Sequence, residues 1–118
     1  MSLLDPDRVP TTLDEALKML DEWMPQQDRE FITKLEDTPV DLMHFGLGMS
    51  LRNNWSLWEK DMPLVRWFNE RGITQPDDMS GIILTSLWRR FLGEEIDLEG
   101  QIKSYQDFWT KSIGRPIP

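Results

Sequence analysis

The chain has 118 residues, of which 39% are hydrophobic and 29% are charged, and its formal net charge is −8. This length and balance predict one soluble globular domain and exclude both a disordered tail and a membrane protein. The absence of cysteine excludes disulfides, zinc–thiolate sites and cysteine nucleophiles, and the single histidine excludes a pair of histidines on one metal ion.

The negative charge is concentrated in the first half of the chain. Residues 1–50 contain eleven acidic and four basic residues, a net of −7, whereas residues 51–118 have a net of −1. An acidic surface repels phosphates and anionic lipids, so we expect no binding to nucleic acid or to a membrane. A basic protein is the expected partner. The alternative is that the acidity only supports solubility.

Hydrophobic periodicity predicts an all-α fold of about six helices in a single domain. The core is expected at about residues 12–110, with loose termini at 1–10 and 112–118. Thr12-Leu13-Asp14-Glu15 is a capping box, so a first helix is expected from there to about Trp23. Pro25 begins a second, shorter helix that ends near Leu35. The N-terminal residues show no targeting segment, which favours the cytoplasm.

The third helix is predicted at the centre of the fold. Thr38 and Pro39 are typical of a helix start, and the residues that follow, at about 40–52, are apolar on nearly all sides. A helix of this kind needs to be covered by its neighbours. We therefore expect this segment to be the buried central helix.

Three more helices follow from their start and stop signals. Pro63 begins the fourth, which Gly72 ends, and Pro76 begins the fifth. The fifth has two acids at its positive end and two arginines at its negative end, which suits the helix dipole. Asp97 caps the sixth, which is predicted to reach about Trp109.

The first half of the chain supplies a candidate surface for a basic partner. The acids of the first helix lie off its apolar stripe, and only Lys18 offsets them. The predicted partner-binding surface consists of Asp14, Glu15, Asp21, Glu22, Glu36, Asp37 and Asp41.

A second candidate site is a cluster of polar and aromatic residues in two segments. Its members are His44, Arg52, Asn53, Asn54, Trp55, Trp58, Asp77, Asp78 and Ser80. One interpretation is a polar pocket with tryptophans as its floor. The favoured interpretation is structural, with Arg52-Asn53-Asn54 closing a helix through side-chain hydrogen bonds. His44 is interpreted as a hydrogen-bonded core residue rather than a general base.

Asp77 and Asp78 have three possible roles. They can cap the fifth helix, one of them can pair with Arg52 across the core, or they can contribute to a metal site. We favour the cap together with the pair, because no further metal ligands follow at a suitable spacing. We expect no metal and no cofactor.

Six tryptophans are many for a chain of this length. Five of them lie on helical stripes or beside apolar neighbours and are interpreted as core residues. Their indole N–H groups need acceptors, which Asn53, Asn54 or aspartate side chains can supply. A tryptophan left exposed is a good anchor for a protein interface.

The two polar segments resemble a small bacterial family of unknown function. The resemblance lies in His44-Phe45-Gly46-Leu47-Gly48 with Arg52-Asn53-x-Trp55-x-Leu57-Trp58, and in Pro76-Asp77-Asp78-Met79-Ser80-x-Ile82-Ile83. It extends from about Leu13 to Trp109 and implies a small helical domain without an established activity. This chain has Gln75 where the family pattern has histidine, which argues against a metal-binding or proton-transferring turn.

These observations favour a binding protein over an enzyme. The most concrete form is an immunity protein or antitoxin that neutralises a basic partner such as a bacterial toxin. One alternative is a structural or adaptor subunit, and the oligomeric state stays open. A second alternative is a small-ligand-binding domain or an enzyme with a pocket around His44, Arg52 and Asp77.

Overall fold

The computed structural model describes residues 9–24, 26–34 and 49–113, and all regular structure in these residues is helical. The all-α prediction is therefore confirmed for this part of the chain, which forms a compact globule. The helices of the described residues are α1 (Leu13–Trp23), α2 (Gln26–Thr33), α3 (Met49–Asn54), α4 (Pro63–Asn69), α5 (Pro76–Phe91) and α6 (Leu98–Ile113). None of them combines the length and the apolar character that are needed to cross a bilayer.

The helical segments of the described residues differ greatly in length. Within the described residues, α5 and α6 have 16 residues each, whereas α3 has 6 and α4 has 7. Periodicity identifies a helical face but does not measure how many turns persist.

Local start signals set the helix boundaries as expected. The hydroxyl of Thr12 accepts a hydrogen bond from the backbone N–H of Glu15 at 3.2 Å, which is the capping interaction predicted for α1. Pro63 and Pro76 occupy the first turns of α4 and α5. Asp97 caps α6 by accepting from the backbone N–H of Gly100 at 3.3 Å. These interactions join residues three positions apart, which is why sequence patterns reveal them.

The described residues begin with two that contribute to the core: Val9 packs against it and Pro10 is buried. At the other end, α6 continues to Ile113, four residues past Trp109, because no helix breaker precedes Gly114.

Helix α5 is at the centre of the described residues. It contacts α1, α2, α3 and α6, and every residue from Met79 to Leu87 is buried. Residues 40–48 of the predicted central helix (about 40–52) lie outside the described residues, and α3 contains only its last part. Met49 in α3 is 45% exposed, so this part is not covered on all sides.

Around α5, buried apolar side chains from the other helices complete one core. The largest fully buried side chains include Trp55, Phe68, Leu13, Leu17 and Leu20. Leu51 and Arg52 bring α3 against α5, and Ile73 closes the turn after α4. This turn contains Gly72, whose φ of +83° is a left-handed conformation that glycine adopts without strain. This core packs α3 against α5.

Candidate functional site

The acidic residues of α1 form one exposed face. Asp14, Glu15, Asp21 and Glu22 are all exposed, and the helical repeat places them within about a third of the helix circumference. The opposite side of α1 is buried, with Leu13, Ala16, Leu17, Met19 and Leu20 in the core. Glu36, Asp37 and Asp41, the other members of the predicted surface, lie outside the described residues. We refer to Asp14, Glu15, Asp21 and Glu22 as the α1 acidic face.

Cations from other helices offset the α1 acidic face, which corrects the expectation that only Lys18 does so. Asp14 lies 3.1 Å from Lys18 Nζ and 3.4 Å from Arg90 Nη2. Asp21 pairs with Arg29 of α2. The sequence places Arg90 and Arg29 far from these acids, so no local pattern indicates the pairs. Hydrogen bonds from Lys18 and Arg90 lower the pKa of Asp14 below its usual value of 3.8.

Arg52 is the buried centre of the polar cluster. Only 4% of this residue is exposed. Its Nη1 donates to the Ser80 hydroxyl at 2.9 Å, and its Nε lies 3.4 Å from Oδ1 of Asp77. The pairing of Arg52 with Asp77, one of the predicted alternatives, is therefore present. Because both partners belong to the first turns of α5, the guanidinium fixes α3 against the start of that helix.

Neither of the two aspartates is the N-cap of α5, although both lie in its first turn, where negative charge suits the helix dipole. Gln75 is the N-cap of α5 and makes no side-chain capping bond, so Asp77 and Asp78 lie inside the first turn. Asp77 instead pairs with Arg52, and Asp78 accepts a hydrogen bond from Trp109 Nε1 at 2.8 Å. Pro76 occupies the first helical position, so the cap is Gln75, two residues before Asp77.

Asp78 and Trp109 join the start of α5 to the second half of α6. This contact was missed in the sequence, where Trp109 is only an apolar residue at helical spacing. Burial raises the pKa of Asp78 above its usual value of 3.8, with a further contribution from the negative charge of Asp77. The hydrogen bond from Trp109 acts in the opposite direction, since it favours the ionised carboxylate.

The other members of the cluster do not converge on one pocket. Asn54 donates to the backbone carbonyl of Ser50 at 2.8 Å, which closes α3 as predicted, and Asn53 is exposed. Trp55 is fully buried, whereas 58% of Trp58 is exposed. His44 lies outside the described residues.

The acceptors predicted for the indole N–H groups are present only in part. Asp78 accepts from Trp109, but the buried Nε1 atoms of Trp55 and Trp88 have no hydrogen-bond partner among the described residues. The described ranges also contain no group of three or more acidic or histidine side chains placed to hold a metal ion. The cluster therefore consists of separate interhelical contacts around Arg52 and Asp78.

The shifted pKa values of Asp78 and Asp14 predict opposite pH effects. A raised pKa means that protonated Asp78 favours the folded state, so this contribution is complete below pH 3.8 and is lost as pH rises through the folded-state pKa. Asp78→Asn stays neutral and can still accept from Trp109. Relative to the wild type, the variant is therefore expected to gain free energy of unfolding between pH 3.8 and pH 7.

Asp14→Asn is the matched control. The pKa of Asp14 is lowered, so its carboxylate stabilises the fold above pH 3.8 and this contribution is lost as pH falls through the folded-state value. This variant should lose stability relative to the wild type over the same rise in pH. Urea unfolding at a series of pH values measures the stability of both variants relative to the wild type. If stability changes in the same direction in the two variants as pH rises, the assigned pKa directions of Asp78 and Asp14 are wrong.

A family model matches residues 9–91, which contain α1 to α5, and describes them as a domain of unknown function, DUF6794. The chain belongs to the DUF6794 family. The expected membership of a family without known function is confirmed. The match ends at Phe91, so α6 of this DUF6794 protein lies beyond it, whereas the resemblance was expected to reach Trp109. The motif pattern and a bacterial origin stay predictions. No curated protein and no solved structure shows significant similarity to this chain.

Proposed function

We propose that this chain is a protein-binding domain that binds a basic protein through the α1 acidic face. In its most concrete form it is an immunity protein or antitoxin in the bacterial cytoplasm that neutralises a basic toxin. The observation that carries the proposal is the exposure of Asp14, Glu15, Asp21 and Glu22 on one face of one helix. A surface of this sign accelerates association with a positively charged partner.

The internal ion pairs of this face are compatible with partner binding. Asp14 and Arg90 have 60% and 41% of their side chains exposed, and 51% of the Asp21 side chain is exposed. Exposed pairs of this kind contribute little to stability, because water and salt screen the charges. Arginine or lysine side chains of a partner can therefore replace Arg90 and Lys18 at little cost.

A structural or adaptor role is the second candidate, and exposed apolar side chains favour it. Trp58 is 58% exposed and Phe108 is 59% exposed. Exposed aromatic side chains are frequent anchors of protein interfaces. An enzyme or ligand site around Arg52 has less support, because its guanidinium is buried and contacts two residues of α5.

The test compares two variants that have the same change in net charge. Asp14→Asn, Glu15→Gln, Asp21→Asn and Glu22→Gln together neutralise the α1 acidic face. The control carries Glu59→Gln, Glu70→Gln, Glu94→Gln and Glu99→Gln, all at exposed positions on other segments. Both variants reduce the formal net charge from −8 to about −4. Only the first removes the proposed surface.

The partner is captured from the host lysate with the wild type, purified, and titrated against all three proteins at several salt concentrations. We expect the face variant to weaken the Kd by roughly 10–100-fold with a smaller salt dependence, and the control by less than about threefold. Circular dichroism checks that all three proteins are folded. Equal affinities for the two variants, or an acidic partner, contradict the proposal.

A further inference from the structure

A cavity of about 520 Å³ lies between the segment after α3, helix α4 and the start of α5. This volume is within the range of about 300–1,000 Å³ that is typical of small-molecule sites. The cavity is separate from the α1 acidic face and from the Arg52–Asp77 pair, none of which lines it. Its lining combines an exposed aromatic ring, apolar side chains, one cation and several neutral polar groups.

Trp58 forms the aromatic part of the lining. Its exposed fraction of 58% contrasts with 1% for Leu57 and 3% for Val65, which also line the cavity. An indole ring that is exposed to solvent beside buried aliphatic side chains presents a flat apolar surface. Such a surface favours a planar ring, which gains both area burial and stacking.

Lys60 supplies the charge of the cavity. It is exposed and makes no ion pair within the described residues. Glu59 and Asp61 are its neighbours in sequence, but neither lines the cavity. The first turn of α5 begins at the same place, with Pro76 in the lining. Asp77 and Asp78 in this first turn already offset the positive end of the helix dipole, so the ammonium group of Lys60 is what favours an anionic group on the ligand.

Two polar side chains in the lining have unpaired atoms. Oδ1 of Asn69 and Oγ1 of Thr74 are buried and have no hydrogen-bond partner among the described residues. A buried polar atom without a partner costs about as much as a lost hydrogen bond, and folded proteins leave few of them. Rotation of these side chains towards the cavity gives a bound ligand two polar partners.

We propose that this cavity binds a small planar aromatic carboxylate, with its ring against Trp58 and its carboxylate at Lys60. Asn69 and Thr74 then bind polar groups at the inner side of the ligand. The site does not depend on the proposed binding of a basic protein, because its residues are not those of the α1 acidic face. Each proposal can fail without the other.

The test uses indole-3-carboxylate as the probe and its neutral amide as the comparison. Binding is followed by backbone amide chemical shifts in the full chain. We expect shifts centred on Leu57, Trp58, Asn69 and Thr74, and a Kd of about 1 mM or tighter for the carboxylate. The amide should bind about tenfold more weakly, because it loses the charged interaction with Lys60.

Variants assign the interactions within the site. Lys60→Gln and Trp58→Leu should each weaken binding about tenfold. Matched changes elsewhere, Lys34→Gln and Phe108→Leu, should leave the Kd unchanged within about twofold. Thr74→Val should weaken binding about threefold without lowering the melting temperature, since the hydroxyl that it removes has no partner within the fold.

Three results overturn the proposal. One is the absence of localised shifts at about 5 mM carboxylate, a concentration well above the expected Kd. Another is equal binding of the carboxylate and the amide, which removes the role of charge. The third is equal weakening by Lys60→Gln and Lys34→Gln, which indicates that only the overall charge of the protein matters.

Discussion

Trp55→Ala is expected to lower the free energy of unfolding by about 3–5 kcal/mol, the largest loss predicted for this protein. Trp55 is fully buried directly after α3, and its backbone N–H donates to the carbonyl of Leu51 at 3.0 Å. Alanine removes the whole indole and leaves a cavity that the surrounding side chains fill only in part. Small domains have about 5–15 kcal/mol of stability, so most of the margin is lost. Guanidinium unfolding followed by circular dichroism measures the change.

Two further tryptophan substitutions are the controls. Trp55→Phe should cost only about 1–2 kcal/mol, because phenylalanine keeps an aromatic ring and removes a buried N–H that has no partner among the described residues. Trp58→Ala should change stability by less than about 0.5 kcal/mol, since 58% of Trp58 is exposed. A loss at Trp58 that equals the loss at Trp55 is incompatible with the observed core.

Arg52→Ala is the second large effect, with an expected loss of about 2–4 kcal/mol. The substitution removes a guanidinium that contacts Ser80 and Asp77 on α5, and it opens a space beside buried side chains. Ser80 and Asp77, which lose the contact with the guanidinium, account for little of the expected loss of stability. Ser80 still donates to the carbonyl of Asp77 at 3.0 Å, and 64% of the Asp77 side chain is exposed to water.

Three further substitutions test whether the loss comes mainly from the space that Arg52 leaves. Arg52→Met keeps most of the side-chain volume and should lose only about 1–2 kcal/mol. Asp77→Asn removes one counter-charge from beside the buried guanidinium, but the exposure of Asp77 screens the pair, so about 1 kcal/mol is expected. Asp107→Asn alters an exposed pair with Lys103 and should cost less than about 0.5 kcal/mol. An order in which Asp77→Asn exceeds Arg52→Ala contradicts the explanation.

Arg52→Ala also tests whether Arg52 belongs to a binding site. If Arg52 is structural, Arg52→Ala lowers stability but leaves the Kd for a captured basic partner unchanged at temperatures where the variant is folded. A change in affinity without a change in stability instead assigns Arg52 to a binding site. Thermal unfolding and titration of the same samples separate the two roles.

Some contacts of the candidate sites could be predicted from the sequence, and others could not. Arg52 was expected to pair with an aspartate of α5, because a charge within a largely apolar segment needs a partner once it is buried. An aspartate was expected as an acceptor for an indole, but the pair of Asp78 and Trp109 was not identified, because the two residues are 31 positions apart and no local pattern relates them. The pair between Asp14 and Arg90 was missed for the same reason, with a separation of 76 positions.

The starts of several helices follow from local sequence alone. Thr12 and Asp97 accept hydrogen bonds from backbone N–H groups of the next turn, and Pro63 and Pro76 have a φ that suits the first turn and no N–H that needs a partner. These effects are present in any arrangement of the helices. Which helix is central depends instead on how the helices pack together. A hydrophobic stripe requires burial but does not specify the partner, and the most buried described helix is α5. Packing also buried Trp55 and left Trp58 exposed, because each environment depends on residues distant in sequence.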